Sequence, residues 1–229
     1  MKHLKHFSLF ESKEEKLTKA QEMIISFKEK FGTELDEKFE VSQIKLIEKA
    51  FNIFDKKFIK NKIDKIILKD LHGVHGRWHD SGKRQEMTLN PSIFDFKKEF
   101  ENGVKDVPYK LFVLVHEIGH CIDHIEKVSY SREWKAISGW KKLDRRANVP
   151  EGYVRYEEKR KGREVAGHKL SNWIHKEDAD FCRKYTSRNP REDFADSFAH
   201  GVFGLWDRFK GETGKKKIEI IKKILKKVD

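Results

Sequence analysis

Residues 108–128 read PYKLFVLVHEIGHCIDHIEKV, and this stretch decides the fold. Its first half is apolar and its second half is mixed, which predicts one long helix with a buried side. Residues 116–120 within it read His-Glu-Ile-Gly-His. Because residues four apart on a helix project from the same face, His116 and His120 are suited to two corners of a zinc tetrahedron. Glu117 lies about 100° further round the helix axis, where a general base must be.

A catalytic zinc ion keeps three protein ligands and one open position, so a third ligand is needed. The later His and carboxylate side chains are candidates: Asp123, His124, His168, His175, Glu192, Asp193 and His200. Glu192 is favoured because it opens a helix predicted over 191–203, with Asp196 one turn later on the same face. A carboxylate in that position can orient a ligating imidazole through its outer N–H. The alternative is an ordinary acidic first turn that complements the helix dipole.

A tyrosine completes the pattern around the third ligand. Tyr185 precedes Glu192 by seven residues, in the sequence Tyr-x6-Glu-x-Phe-Ala-Asp-x-Phe. Together with His-Glu-Ile-Gly-His, this pattern resembles the gluzincin metallopeptidases related to the catalytic domain of anthrax lethal factor and to the Pro-Pro endopeptidases. The resemblance implies an α+β, zincin-like fold, in which a small mixed sheet with an antiparallel edge strand packs on the active-site helix. The C-terminal half is expected to be mostly helical.

The resemblance also implies an activity, which is zinc-dependent cleavage of a protein or peptide substrate. One zinc ion per chain would be bound by His116, His120 and Glu192, with Glu117 activating water. Tyr185 would assist at the transition state; the alternative is an aromatic residue with no catalytic part. The resemblance covers roughly 40–125 and 181–205. The 72 residues from His120 to Glu192 are more than the family pattern has, so 130–180 is interpreted as an insertion.

Residues 71–91, LHGVHGRWHDSGKRQEMTLNP, predict a β-hairpin with strands at 73–79 and 84–90. In zincins the first strand of such a hairpin is the sheet edge along which the substrate lies. The resemblance therefore makes six residues candidates for substrate binding: Gly73, Val74, His75, Gly76, Arg77 and Trp78. The two glycines are expected to let a peptide come close, unless the basic segment 130–176 covers this strand.

The remaining patterns suggest how the chain is organised. Apolar spacing of three and four predicts helices over 13–31 and 40–60, and IDKIIL at 63–68 predicts a strand. The tail, KKKIEIIKKILKKV, has Ile on one face and Lys on the other. We predict an N-terminal helical extension (1–39), a metallopeptidase domain (40–210) with a basic insertion at about 130–180, and a basic amphipathic helix (211–229).

The charge of the chain is uneven. The 229 residues carry a net charge of +12. A high net charge can favour disorder, but 17 Phe, 5 Trp and 5 Tyr supply enough apolar side chains for a folded core. Residues 130–176 hold 13 Lys and Arg against 6 Asp and Glu, and residues 210–229 hold 8 against 3. These segments favour an acidic partner, whether protein, nucleic acid or anionic membrane surface; the alternative is a solvated Lys-rich surface. Irregular aromatic spacing disfavours nucleic acid.

Other signals bear on location and on rival functions. No run of 18 apolar residues predicts a membrane span, and the basic N-terminus lacks the apolar stretch of a signal peptide. We expect a cytoplasmic protein, or one delivered by a non-classical route such as a phage particle or a toxin-like pathway. Two alternative functions remain: a DNA-associated basic metalloprotease or nucleic-acid-binding module, and a non-catalytic zincin-fold structural protein. The intact Glu117 argues against the second.

Overall fold

The computed structural model describes residues 17–72, 74–80, 84–95, 107–157 and 170–226. Within these ranges the fold is α+β at the level of class, with about half of the residues helical and two small sheets. The helices are α1 (Lys19–Phe31), α2 (Val41–Phe51), α3 (Lys56–Ile59), α4 (Ser92–Asp95), α5 (Tyr109–Glu126), α6 (Arg132–Ile137), α7 (Pro190–Val202) and α8 (Glu212–Lys226). The strands are β1 (Glu34–Leu35), β2 (Lys65–Leu68), β3 (Gly76–Asp80), β4 (Gln85–Leu89), β5 (Lys141–Lys142), β6 (Tyr153–Glu157) and β7 (Leu170–Lys176). Two 3-10 helices span Lys184–Arg188 and Trp206–Arg208.

The first sheet is mixed and has four strands in the order β1-β2-β4-β3. β1 pairs with β2, and β2 with β4, in parallel, whereas β3 and β4 form the antiparallel hairpin that the sequence predicts. The turn between them, at 81–83, lies outside the described residues. Among the described residues β3 pairs on one side only, so it forms an edge of this sheet. The alternative, in which residues 130–176 cover this strand, finds no support in strand pairing, because no described strand of that segment pairs with β3.

Helix α5 is the predicted long helix, and it packs against β3 and α7. A Cβ atom at Gly119 would lie 3.1 Å from the Cα and the carbonyl oxygen of Ala195 on α7. Glycine therefore lets the two helix backbones touch, as its position in the motif suggests. This close approach brings the imidazoles of α5 next to the first turn of α7.

The start of α7 is fixed by local hydrogen bonds. The side-chain oxygen of Asn189 accepts from the backbone N–H groups of Arg191 (3.0 Å) and Glu192 (3.1 Å), and Pro190 occupies the first helical position. Asn at the N-cap and Pro at the next position are both strongly preferred at helix starts. Glu192 is thereby held in the first turn.

The N-terminal region shares the main core. Phe27 and Phe31 of α1 contact Phe51 of α2, with ring centroids 5.0 and 5.1 Å apart. β1 adds a strand to the first sheet. Helix α1 ends at Gly32, whose φ of 71° suits glycine. The predicted N-terminal extension, 1–39, therefore packs with the rest of the chain where it is described, and residues 1–16 lie outside the described part.

The single helix predicted over 40–60 is wrong, because two helices occupy this range. α2 ends at Phe51, and α3 begins after Asp55, whose side chain accepts a hydrogen bond from the N–H of Lys57 (2.6 Å). A short acidic side chain that bonds to its own backbone competes with a continuous helix and starts a new one. The apolar side chains nevertheless point to the core as the periodicity predicts, with Ile44, Ile47 and Phe58 all buried.

Residues 130–180 contain more regular structure than the sequence predicts. α6 is followed by a three-stranded antiparallel sheet in the order β5-β7-β6, so the expectation of a mostly helical C-terminal half is wrong in this segment. Aromatic contacts hold it: the ring of Trp140 lies 6.4 Å from Trp173 and 5.2 Å from His175. Arg155 donates to the carbonyl oxygens of Arg145 (2.6 Å) and Asp144 (2.7 Å). Residues 158–169 lie outside the described part.

Helix α8 packs against α6 and α7 through its apolar face. Ile221 and Ile224 are buried, as the periodicity predicts. Lys217 is also buried, which the sequence analysis does not predict. None of the described helices combines the length and the apolar character that a membrane span requires.

Candidate metal centre

Three potential metal ligands converge where α5 meets α7. The Nε2 atoms of His116 and His120 lie 3.3 and 3.5 Å from Oε2 of Glu192. The ligand atoms of all three residues lie within 4.8 Å of one another, and both imidazoles are buried. A buried group of two imidazoles and one carboxylate could hold a metal ion, and this is a donor set that zinc uses in proteins.

The charges around this group favour a cation. Burial alone would lower the pKa of His116, but the carboxylates of Asp196, Glu192 and Glu117 outweigh burial and raise that pKa to about 10. Burial raises the pKa of Glu192, yet His120 and His116 reverse this and bring it well below its usual range. A site that binds a proton this strongly when metal-free has the negative potential that a divalent cation requires.

Unpaired polar atoms also fit a metal ion at this position. In the described part of the chain, Glu192 Oε2 is buried and has no hydrogen-bond partner of suitable geometry. Leaving a buried carboxylate oxygen unsatisfied costs about 1–3 kcal/mol or more. A cation shared with the two imidazoles would satisfy this oxygen, so the residues present fit the metal that the resemblance implies.

Asp196 lies behind the first imidazole, as its spacing from Glu192 predicts. Its Oδ1 is 2.6 Å from Nδ1 of His116, and this contact directs Nε2 of the ring towards Glu192. The guanidinium of Arg183 forms two hydrogen bonds to the same carboxylate. Burial raises the pKa of Asp196, but Arg183 and His116 together lower it to about 2. Asp196 therefore stays ionised at neutral pH.

Glu117 borders the ligand group without belonging to it. The residue is 5% exposed, and its Oε2 has no hydrogen-bond partner within the described residues. A Cβ atom at Gly76 would lie 2.5 Å from Oε1 of Glu117 and 2.6 Å from its Cδ. The glycine of β3 is therefore needed for contact with Glu117, whereas the sequence analysis assigns it to contact with a peptide. Burial raises the pKa of Glu117.

Tyr185 lies in the 3-10 helix Lys184–Arg188, next to the ligand group. Its ring centroid is 6.5 Å from that of His116, and the guanidinium of Arg183 lies over its ring at 5.1 Å. Burial, followed by the charge of Glu192, raises the pKa of Tyr185. Its hydroxyl group therefore remains protonated at neutral pH and can donate a hydrogen bond.

These residues surround a cleft of about 300 Å³, which we call the metal cleft. Four of the six predicted substrate-binding residues line it, together with both imidazoles, Glu117 and Tyr185: Val74, Gly76, Arg77 and Trp78. His75 does not line it, because its ring packs edge-on against Tyr109 of α5 at 5.7 Å. Gly73 lies outside the described residues.

The hydrogen bonds of the hairpin show which main-chain groups face away from it. The N–H of Asn90 donates to the carbonyl of His75 (2.8 Å), so the opposed residues Gly76 and Leu89 form a non-hydrogen-bonded pair. The N–H and C=O groups of Gly76 and Trp78 consequently point away from β4. Those of Val74 are engaged, since its N–H donates to Leu71 (3.4 Å) and its carbonyl accepts from the Asn90 side chain (3.0 Å).

The other candidates for a third ligand have different partners or positions. The carboxylate of Asp123 accepts two hydrogen bonds of 2.6 Å from Ser129, and that of Asp193 pairs with Lys217 (2.8 Å). His175 lies in the aromatic cluster of the second sheet. His124 and His200 do not belong to the ligand group, and His168 lies outside the described residues.

Sequence reasoning misses three arginines at this centre. Arg183 holds Asp196, and Arg188 and Arg191 line the metal cleft. Arg183 and Arg188 flank Tyr185 at −2 and +3, which is a weak signal in a basic chain. Arg191 lies between the Asn189-Pro190 helix start and Glu192. Its place in the cleft wall can be inferred only once the direction of α7 is known.

Comparison of the chain with protein-family models, with curated proteins and with solved structures finds no significant match. The geometry of this centre and the motifs that form it are therefore the basis for a proposed function.

Proposed function

We propose that this protein is a zinc-dependent endopeptidase with a zincin fold, of the gluzincin type. The observation that carries the proposal is the convergence of His116, His120 and Glu192 beside the buried Glu117. The mixed sheet supports it, since its antiparallel edge strand packs on the helix that carries His-Glu-Ile-Gly-His.

The metal has one task in this proposal. His116, His120 and Glu192 would hold a zinc ion, which when bound supplies the Lewis acidity that makes water nucleophilic near neutral pH. Asp196 keeps His116 in the tautomer and ring orientation that ligation requires, and Arg183 keeps Asp196 in place.

Glu117 acts as the general base. Its carboxylate accepts the proton of the attacking water and then gives it to the amine that leaves the cleaved bond. Tyr185, across the metal cleft, donates a hydrogen bond to the carbonyl oxygen as negative charge develops there. A donor of this kind contributes on the order of 3–4 kcal/mol to transition-state stabilisation.

The substrate lies along β3 in an extended conformation. The outward N–H and C=O groups of Gly76 and Trp78 pair with its main chain, as in other complexes in which a peptide adds a strand to a sheet edge. N-methylation of the two substrate amides that pair with these residues should raise KM by about 2- to 10-fold each, the value of one hydrogen bond. Steady-state kinetics of singly N-methylated peptides tests this, and equal effects at every position would contradict the placement.

The decisive experiment is an unbiased peptide-library cleavage assay with wild type and a Glu117→Gln variant. Wild type should cleave only in the absence of a chelator. Glu117→Gln keeps the shape of the side chain and removes the base, so it should lose activity by several orders of magnitude while retaining about one zinc per chain and an unchanged Tm. A variant that cleaves at near the wild-type rate would exclude this mechanism.

A further inference from the structure

A second cavity, of about 440 Å³, lies beside the metal cleft. Strands of the second sheet and the start of α7 form its walls, and four cationic side chains line it: Lys142, Arg145, Arg188 and Arg191. We call these four residues and the cavity between them the basic pocket. No carboxylate side chain lines it among the described residues.

The basic pocket and the metal cleft share a wall. Arg188, Asn189 and Arg191 line both cavities, and Glu192, the proposed ligand, is the next residue along α7. The two cavities are therefore adjacent. A ligand bound in the metal cleft can extend one side chain past these residues into the basic pocket.

The shared wall is held in a fixed position. Ser171 of β7 donates a hydrogen bond from its hydroxyl to the carbonyl of Arg188 (2.7 Å), and Asn189 caps α7. The cations of this wall are thus positioned by the second sheet on one side and by α7 on the other. Pre-positioned groups lose less conformational entropy when they bind a ligand.

Two of the four cations, Arg145 and Lys142, contact neutral groups among the described residues. Arg145 donates to the neutral side chain of Asn172 (2.6 Å), and the ammonium of Lys142 lies 5.5 Å from the centre of the Trp173 ring. Nε of Arg191 is buried and has no hydrogen-bond partner in the described part of the chain. The buried carboxylate of Asp123 attracts Arg191 electrostatically, but it accepts its hydrogen bonds from Ser129. The pocket therefore has the chemistry of an anion-binding site.

We propose that the basic pocket binds an anionic side chain of the peptide held in the metal cleft, and so selects substrates with an acidic or phosphorylated residue at a fixed distance from the cleaved bond. This inference rests on the proposed peptidase function. Guanidinium groups bind carboxylates and phosphates through paired hydrogen bonds, which suits Arg145, Arg188 and Arg191. A peptide is favoured over nucleic acid because the pocket adjoins the metal cleft, and its volume of about 440 Å³ suits a side chain rather than a stretch of duplex.

The test uses the full zinc-loaded chain and a library of randomised decapeptides that includes Glu, Gln, Lys and phosphoserine. Cleaved products should be enriched in Glu or phosphoserine at one fixed distance from the new terminus. In peptides made individually, Glu should exceed Gln at that position by about tenfold in kcat/KM. Cleavage with no acidic preference at any position would overturn the inference.

A double variant, Lys142→Gln with Arg145→Gln, tests the assignment to this pocket. It should reduce the ratio of Glu to Gln peptides to about one, while an all-neutral peptide is cleaved at the wild-type rate. The matched control is Lys216→Gln with Lys223→Gln, which removes the same charge from exposed positions of α8. The control should keep the preference, and an equal loss in both variants would overturn the assignment because it would reflect net charge alone.

A binding measurement separates this inference from the peptidase proposal. The same library is passed over immobilised full-length protein, and retained peptides are sequenced. If wild type cleaves nothing, retention of acidic peptides that the double variant abolishes still supports the pocket, whereas no acidic retention overturns it. Binding of a single-stranded oligonucleotide that is lost in the double variant, with no acidic preference among peptides, would overturn it in favour of a phosphate-backbone site.

Discussion

Two adjacent carboxylates of α7 have different kinds of positive partner. Glu192 faces the imidazoles of the metal cleft, whereas Asp193 faces the core, where Nζ of Lys217 lies 2.8 Å from its Oδ1. On the core side the cation is the ammonium group of Lys217. On the cleft side we propose that the cation is a bound zinc ion. On this proposal, one helix combines a permanent cation site with an exchangeable one.

The two sides differ in how completely their polar atoms are satisfied. Lys217 also donates to the carbonyl of Asp180 (2.7 Å) and lies 4.2 Å from the ring of Phe181, while Trp140 donates to the second oxygen of Asp193 (3.1 Å). On the core side, both oxygens of Asp193 and the ammonium group of Lys217 therefore have polar partners. On the cleft side Glu192 Oε2 has no hydrogen-bond partner among the described residues. In a structural ion pair the polar atoms find all their partners within the chain. In a binding site some polar atoms are left for the ligand to contact.

The largest expected effect comes from removing the permanent cation. Lys217→Met should lower the free energy of unfolding by about 3–5 kcal/mol, because it leaves Asp193 buried without its partner. Urea unfolding measures this, and zinc content of the folded variant should stay at the wild-type level. Lys216→Met is the matched control at an exposed neighbour, with an expected change within about 0.5 kcal/mol. Equally small changes in the free energy of unfolding of both variants would show that the pair of Lys217 and Asp193 does not stabilise the core side.

Removing the exchangeable cation should have a smaller effect that depends on concentration. Zinc at about 100 times its Kd should raise the free energy of unfolding by about 2.7 kcal/mol relative to chelated protein. His120→Ala should lose this zinc-dependent gain, and Lys217→Met should keep it. Urea unfolding with zinc and with a chelator tests all three proteins, and an equal gain in His120→Ala would refute the assignment of this ligand.

The smallest of the three effects concerns the residue behind the ligand. Asp196→Asn should weaken zinc binding by about 10- to 100-fold, because Asn keeps the size but loses the charge that orients His116. Competition with a chelating dye measures this affinity. Asp178→Asn, at an exposed position, is the control and should bind zinc as wild type does. An unchanged affinity in Asp196→Asn would mean that helix packing alone orients the imidazole.

The parts of the molecule that sequence predicts well are those where two signals coincide. α5 combines an apolar run with the motif spacing, and α7 combines Asn189-Pro190 with an apolar face, so both helices and their facing residues follow from local rules. The hairpin is predicted for the same reason, since alternation and turn residues agree. The predicted start of its edge strand, residue 73, is three positions too early, since β3 begins at Gly76 and the side chain of Asn90 bonds to the carbonyl of Val74 before it.

The parts that sequence misses depend on contacts between distant segments. Lys217 follows two other lysines and appears solvated, yet it lies four residues before Ile221 and seven before Ile224, on the same buried stripe. Asp193 of another helix and the carbonyl of Asp180 make that position acceptable for a charge. The second sheet is missed likewise, because β5 has only two residues and ten residues separate it from β6, and contacts such as Trp140 with Trp173 hold the sheet together.

The contact between Gly76 and Glu117 has a consequence for mutational tolerance. The Glu117 side chain, which is proposed to take the proton, occupies the space that a Cβ atom would fill at Gly76 of β3. The strand proposed to align the peptide and the proposed base are therefore in direct contact. A larger residue at position 76 would therefore force the Glu117 carboxylate to move away from the strand. The side chain of Arg77 beside it is exposed and is open to change. Sequence drift can thus alter which peptides are chosen without moving the base relative to the strand.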